Sequence, residues 1–207
     1  MRTRIALLPN MGIPRPYDET APIQIVDAQL EAPGPEEVLI RVLAAGVCHS
    51  DLSVINGDRP RPTPIALGHE GVGEVVSVGA MVGDLAPGDR VALVFVPSCG
   101  HCPTCAEGRP ALCEPALVVN SQGTLLSGAI RIHVEGEPIL HHLGISCFAD
   151  YAVCHRASLV KIPGDMDPVQ QAVFGCAVLT GCGAVPNTAA MRMGEQSTTQ
   201  LTIVTGL

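Results

Sequence analysis

Residues 99–113 read CGHCPTCAEGRPALC, which places Cys99, Cys102, Cys105 and Cys113 in the spacing C-x2-C-x2-C-x7-C. Two-residue gaps let neighbouring thiolates converge on one ion, and the longer loop brings back the fourth. Four thiolates around a tetrahedral ion leave no open position, so the spacing predicts a structural zinc site. Binding of this kind stabilises small zinc peptides by roughly 10–16 kcal/mol. A ferredoxin-type iron–sulfur run, C-x2-C-x2-C-x3-C-P, shares the first three cysteines. Here the fourth comes four residues later than that run requires, and Pro115 does not follow it directly. Zinc is therefore the expected ion.

Around this cluster the chain is rich in Gly, Pro and short β-branched runs. EVLIRVLAAGV (37–47), GVGEVVSVGA (71–80), DRVALVFV (89–96) and FADYAV (148–153) read as strands. A turn precedes the third of these, with Gly88-Asp89 at the bend. RPRPTP (59–64) reads as an extended loop, because each proline removes a donor and restrains its predecessor. Residues 114–146 read as a glycine-rich connection with strand character at 129–134 and no helix. The first helix is expected at Asp167-Pro168, a cap followed by a first-turn proline, running through VQQAVFGCAVLTGCGAVPN (169–187). At the far end, LTIVTGL (201–207) reads as a strand entering a glycine turn, the opening of a dinucleotide-binding unit. The expected fold is a β-rich α+β domain over residues 1–186, with 187–207 holding only the start of a second, α/β domain.

The totals exclude several classes. Hydrophobic residues make up 47% of the 207 and charged residues 15%, enough to bury a core. Twelve basic against twenty acidic residues give a net charge of -8, which argues against nucleic acid or an anionic membrane as partner. Three Phe, two Tyr and no Trp offer no stacking platform for bases. No apolar run of roughly 20 residues is expected to span a membrane, and the apolar run near Met1 is too short for a signal peptide. Nine cysteines in a reducing, cytoplasmic setting read as metal ligands and core thiols.

A second metal set is dispersed. GVCHSD supplies Cys48, LGHEGVGEV supplies His69 and Glu70, and FGCAVLTG supplies Cys176. Singly each reads as core cysteine or satisfied histidine. Together they offer two thiolates and an imidazole, with a fourth position open to water or substrate. Cys147, Cys154 and Cys182 read as core, and His101 as a solvated turn residue. His133, His141, His142 and His155 fall outside any ligand spacing.

That dispersed ligand set is one known from alcohol dehydrogenase, and the chain resembles the zinc-dependent alcohol dehydrogenases of the medium-chain dehydrogenase family. GVCHSDLSVINGDRP, ALGHEGVGEVVSVG, PSCGHCPTCAEGRPALC and FGCAVLTGCGAV carry the likeness, which covers about residues 20 to 190. The stretch GTLLSGAIRI…HHLGISCFADYAV resembles an insert of the liver-type branch. The resemblance implies a GroES-like catalytic domain, two zinc ions per chain, and NAD(P) held by a following Rossmann domain of which only the first strand is present.

It further implies roles for individual residues. Cys48, His69 and Cys176 would hold the catalytic zinc, with Glu70 beside the metal as a supporting residue or a transient ligand. Asp51 would accept from the far nitrogen of His69 and fix its tautomer. Ser50 would contact the alcohol oxygen and pass on its proton, His49 would meet the cofactor phosphate, and Thr180 would lie near the nicotinamide. Phe95 and Phe148 match substrate-pocket positions and equally suit ordinary core. The implied chemistry is oxidation of a small alcohol to an aldehyde or ketone, or the reverse. Zinc acidifies the hydroxyl and hydride passes to the nicotinamide.

Three departures stand out. Ser53 takes the place of a proton-relay histidine, so an altered pH profile is expected. MRMGEQSTTQLTIV (191–204) is more polar than the usual interdomain connection, and the fingerprint stops after Gly206-Leu207. The chain is therefore expected to be an incomplete enzyme and a possible homo-oligomer. The alternative is a zinc-stabilised binding or oligomerisation module without catalysis. An iron–sulfur carrier is the further rival.

Overall fold

The computed structural model describes residues 1–190, so the strand expected at 201–207 and most of the segment 187–207 lie outside the described residues. Among the described residues, ten strands form two connected units. Strands β1 (Arg2–Leu8), β2 (Gln24–Leu30), β7 (Ile132–Val134), β8 (Glu137–His141) and β4 (Ile65–Ala66) close into a barrel in that order. Strands β10 (Leu159–Lys161), β6 (Arg90–Leu93), β5 (Gly71–Val78), β3 (Glu37–Ala45) and β9 (Tyr151–His155) form a five-stranded sheet in that order. All pairings are antiparallel except β4 with β8. The expected β-rich architecture is what the chain adopts.

β3 shows why the run Val38–Ile40 is apolar at every position. Val38 and Ile40 point into one core with Val75, Val91, Leu93 and Cys154. Leu39, one residue out of phase, points into the other core with Ile5, Leu7 and Val153. The two-residue period of a strand separates the faces, and a strand covered on both sides must be apolar on both. Burying each of these side chains stabilises the fold by about 1.5–3 kcal/mol. At the start of β3 the buried Glu37 accepts from Arg131 Nε at 2.8 Å, from Ser127 Oγ at 2.6 Å and from the Gly34 amide at 2.7 Å. Burial opposes its charge, and those donors outweigh burial to hold its carboxyl below the ordinary range.

Four α-helices precede Asp167 where none was expected, and the two longest bear on the site. Glu114–Gln122 is a helix inside the supposed connection, with Pro115 in its first turn and Gly123 at φ 74° closing it. Those start and stop signals are ordinary, and the valines between them masked the helix as strand-like. His49–Ile55 is a seven-residue helix, too short to show a periodic face in sequence. The later helix begins as expected, with Asp167 Oδ1 accepting from the Val169 amide at 2.9 Å and Pro168 behind it. It continues through a π-helical turn at Phe174–Val178 into the helix Leu179–Asn187. The run Pro168–Asn187 is long and apolar enough to cross a membrane by length and composition, which corrects the expectation that no stretch would be. Its middle is nevertheless packed on β6, where Gly175 is buried against Leu93.

Candidate metal centres

Cys48 is the N-cap of the helix His49–Ile55. Its amide donates to Asp51 Oδ2 at 3.1 Å, and its sulfur accepts from the Ser50 amide at 3.5 Å. This reciprocal capping box holds the thiolate at a fixed place over the helix start. Burial pushes the Cys48 thiol up, but the Ser50 amide and nearby His69 outweigh it and lower it.

His69 lies in the buried connection between β4 and β5. Gly68 before it has φ +95°, and a Cβ there would meet the Phe148 amide nitrogen at 2.4 Å, so only glycine allows the tight entry. His69 Nδ1 lies 3.0 Å from Asp51 Oδ1. With the carboxylate accepting, Nδ1 carries a proton, which leaves Nε2 as the nitrogen that can face a metal. Burial opposes a charged imidazole, yet Asp51 and Cys176 lift His69 to about 10 without metal. Asp51 itself is pulled far down: burial opposes its charge, and the imidazoles of His142 and His69 beside it overcome that.

Cys176 comes from the π-helical turn. Its sulfur is 4.0 Å from Cys48 Sγ and 3.7 Å from His69 Nε2. Ligands at about 2.3 Å (sulfur) and 2.0–2.1 Å (nitrogen) from a tetrahedral zinc sit about 3.5–3.8 Å apart. The triangle therefore has the size and donor chemistry for zinc. Glu70 is buried next to it, and its Oε1 accepts from the Ala177 amide at 2.9 Å. In this structure Glu70 ties the Cys176 turn to the His69 loop.

Sequence reasoning missed His142. It is buried, its Nδ1 lies 3.2 Å from Asp51 Oδ1, and its ring meets that of His69 edge-on at 5.2 Å. Asp51, His69 and His142 thus form a compact group that no linear spacing could reveal. Phe95 is set edge-to-face against His69 at 5.8 Å; Phe95 and Phe148 both pack against the core of the five-stranded sheet, Phe148 also against the Leu8–Leu67 cluster. Ser53 Oγ lies 3.2 Å from His49 Nδ1 and donates to the His49 carbonyl at 3.0 Å. His49 and Thr180 are exposed.

The other four cysteines behave as one unit. Cys99, Cys102, Cys105 and Cys113 bring their sulfurs within 4.8 Å of one another. The Cys99 amide donates to Cys113 Sγ and the Cys102 amide to Cys99 Sγ, each at 3.3 Å. Such N–H···S bonds favour thiolates, the form zinc requires. His101 is exposed, as expected of a turn residue. Cys147 and Cys154 are buried as expected; Cys182 is exposed, on the outer face of the helix Leu179–Asn187, which corrects its reading as core.

Residues 34–164 match the alcohol dehydrogenase GroES-like domain. The S-(hydroxymethyl)glutathione dehydrogenase of Photobacterium damsela subsp. piscicida is 38% identical over 196 residues, covering 94% of this chain and 51% of its own length. Its counterpart in Escherichia coli O1:K1 is 38% identical over 175 residues, 84% of this chain and 47% of that protein. Among solved structures, an alcohol dehydrogenase zinc-binding domain protein from Burkholderia ambifaria superposes with a TM-score of 0.84 at 36% identity, covering 95% of this chain and 51% of that one. Benzyl alcohol dehydrogenase from Acinetobacter calcoaceticus gives 0.78 at 31% identity, over 90% and 48%. The chain spans about half the length of the curated relatives it matches.

Proposed function

This chain belongs to the alcohol dehydrogenase GroES-like domain family, and we propose that it forms the zinc-holding half of an enzyme that oxidises a small alcohol to an aldehyde or ketone, or reduces it back, with NAD(P) as hydride partner. The observation that carries this reading is the triangle of Cys48, His69 and Cys176 with Asp51 behind the imidazole. A second, closed site at Cys99, Cys102, Cys105 and Cys113 would hold zinc structurally.

When bound, zinc supplies a Lewis acid that acidifies a hydroxyl or polarises a carbonyl. The chain's own residues do the rest. Asp51 keeps the proton on His69 Nδ1 and presents Nε2 to the metal. Phe95 covers one edge of the imidazole and excludes water from it. Ser50 offers its hydroxyl two residues from Cys48, placed to take a proton at Oγ. Ser53 orients the His49 ring, which faces solvent at the helix start, where a cofactor phosphate is also favoured. Thr180, on the outer face of the helix beyond Cys176, is open to a nicotinamide. Thiolate-rich sites require reduced cysteines, which supports a cytoplasmic setting. A homo-oligomer fits the same reading.

Cobalt substitution tests it. Two ions per chain are expected, one of them lost on Cys48→Ser, and in the unsubstituted chain the open-site spectrum should change when an alcohol is added. A spectrum that alcohol leaves unchanged would favour the non-catalytic zinc module instead. NAD(P) titration against the full-length protein then tests the hydride partner.

A further inference from the structure

The loop after the helix His49–Ile55 brings two guanidinium groups to the rim of the Cys48–His69–Cys176 triangle. Arg59 is exposed, and its Nη1 donates to Ser50 Oγ at 3.3 Å. Arg61 is half-buried; its Nη1 donates to the Asn120 carbonyl at 3.3 Å, and its Nε is buried without an acceptor. Asn120 Nδ2 donates to the Phe95 carbonyl at 2.9 Å, and Phe95 lies against His69. Arg59 is thus one contact from Ser50, whose amide donates to Cys48 Sγ, whereas Arg61 reaches His69 only through Asn120 and Phe95.

Neither has a carboxylate partner among the described residues. Asp58, next in sequence to Arg59, is taken up by Asn56, whose Nδ2 donates to it at 2.8 Å. Burial, and then the charge of Arg59, push the Arg61 guanidinium down. In a chain of net charge -8, two uncompensated arginines two positions apart in one loop mark a place for an anion. A guanidinium is the side chain suited to a planar carboxylate, which it can grip through two N–H groups.

The reach limits which anion. Ser50 Oγ is the atom that would contact the reacting oxygen, and Arg59 lies one hydrogen bond beyond it. The reacting oxygen and Arg59 Nη1 are then no more than about 6 Å apart, two hydrogen-bond lengths. We propose that Arg59, supported by Arg61, reads a carboxylate carried by the substrate, so that hydroxy acids and their aldehyde-acid counterparts are preferred over neutral alcohols of the same size. This assignment rests on the alcohol dehydrogenase reading of the same site. A phosphate of the cofactor is the other possible source of negative charge, and the test separates the two.

The probe pair is 4-hydroxybutanoate and 4-hydroxybutanamide, matched in size and differing in charge. Each is titrated into the cobalt-loaded chain, with the visible spectrum and the Arg59 side-chain NMR signal as readouts. The carboxylate should bind about tenfold more tightly or better, as a charge-assisted bond implies, and the margin should shrink with salt. Arg59→Ala should cut the preference to within about twofold. Arg59→Gln, which keeps a donor for Ser50 without the charge, should do the same. Equal binding of the two probes, or a preference that survives both Arg59→Gln and Arg61→Ala, overturns the inference while leaving the alcohol site standing. A cobalt spectrum that neither probe moves overturns both readings. Inorganic pyrophosphate that saturates the Arg59 signal at a tenth of the 4-hydroxybutanoate concentration assigns the arginines to cofactor and overturns the substrate role.

Discussion

Gly175→Ala tests how the third corner of the metal triangle is held. Gly175 directly precedes Cys176, and a Cβ built on it would sit 1.7 Å from the Leu93 carbonyl oxygen and 2.9 Å from the carbonyl carbon. Those atoms are backbone of β6, whose Leu93 is paired with Leu159 of β10, so no side chain can swing aside. Real Cβ contacts stop near 3.0 Å, and the turn must therefore retreat by at least about 1.3 Å. A zinc–sulfur bond of about 2.3 Å tolerates only about 0.2 Å. A retreat several times larger removes Cys176 Sγ from the ion. The expected result is one zinc per chain in place of two, with Cys176 open to iodoacetamide and the four-cysteine site still loaded. Overpacking should also lower folding stability by about 1–3 kcal/mol. Gly181→Ala is the control, because it lies on the same helical run with no atom within 4 Å of its Cβ position. It should keep both zincs, with stability unchanged or raised by up to about 1 kcal/mol. Metal analysis after gel filtration reads the difference. Two tightly held zincs in Gly175→Ala would refute the argument that packing on Leu93 positions the third ligand.

Other outcomes follow from the same geometry. Asp51→Asn keeps an acceptor for the Cys48 amide but loses the charge facing His69, so zinc affinity at the open site should fall about 10–100-fold in a chelator competition while stability changes little; unchanged affinity would count against Asp51 as the group that orients His69. Cys113→Ser should release the zinc of the four-cysteine site alone, read as one zinc lost with the alcohol-responsive cobalt spectrum intact. Iodoacetamide on the zinc-loaded chain should label Cys182 first, since Cys147 and Cys154 are buried and burial pushes both thiols up, Cys154 to about 12; labelling of Cys147 or Cys154 at the same rate would contradict their packing. His141 is fully buried, and burial pushes it down to about 4 from an ordinary 6.5. The unfolded chain then takes up the proton first, so this residue's stabilising effect is present above pH 6.5 and is lost as pH falls towards 4. By pH 5 the loss is about 2 kcal/mol. Urea melts at pH 8 and pH 5 should show that difference shrink in His141→Gln, and an identical pH dependence in both proteins would refute it.

What was legible in sequence was whatever is local. The four-cysteine loop closes on itself within 15 residues, so its spacing alone gave the ligand set. The doubly covered part of β3 announced itself by three consecutive apolar residues, Val38–Ile40, because residues of both parities there face a core. The helix Glu114–Gln122 was hidden for the opposite reason. Only Ala116 and Asn120 of it are buried, so it shows no apolar stripe, and its valines imitate strand. His142 was invisible because its relation to Asp51 is made by folding the end of β8 over the helix His49–Ile55. Arg59 reads in sequence as one more residue of a proline loop; only its bond to Ser50 Oγ gives it a role.

The open site is assembled as two ligands plus one, and that division explains its construction. Asp51 accepts the Cys48 amide with one oxygen and faces His69 Nδ1 with the other. A single buried carboxylate therefore sets the separation of two ligands that stand 21 residues apart. Cys176 has no share in that carboxylate. It arrives on a separate helical run, fixed by Gly175 on Leu93 and by the Ala177 amide on Glu70. Glu70 adjoins His69 in the chain, so this last bond joins the third ligand to the first two. If Glu70 were to approach the metal, it would have to release Ala177 and loosen the Cys176 turn at the same moment. Glu70→Gln keeps an acceptor for that amide but removes the charge, whereas Glu70→Ala removes both. Loss of zinc in Glu70→Ala alone would identify the residue as a tether, and equal loss in both variants would show instead that its charge is what the metal needs.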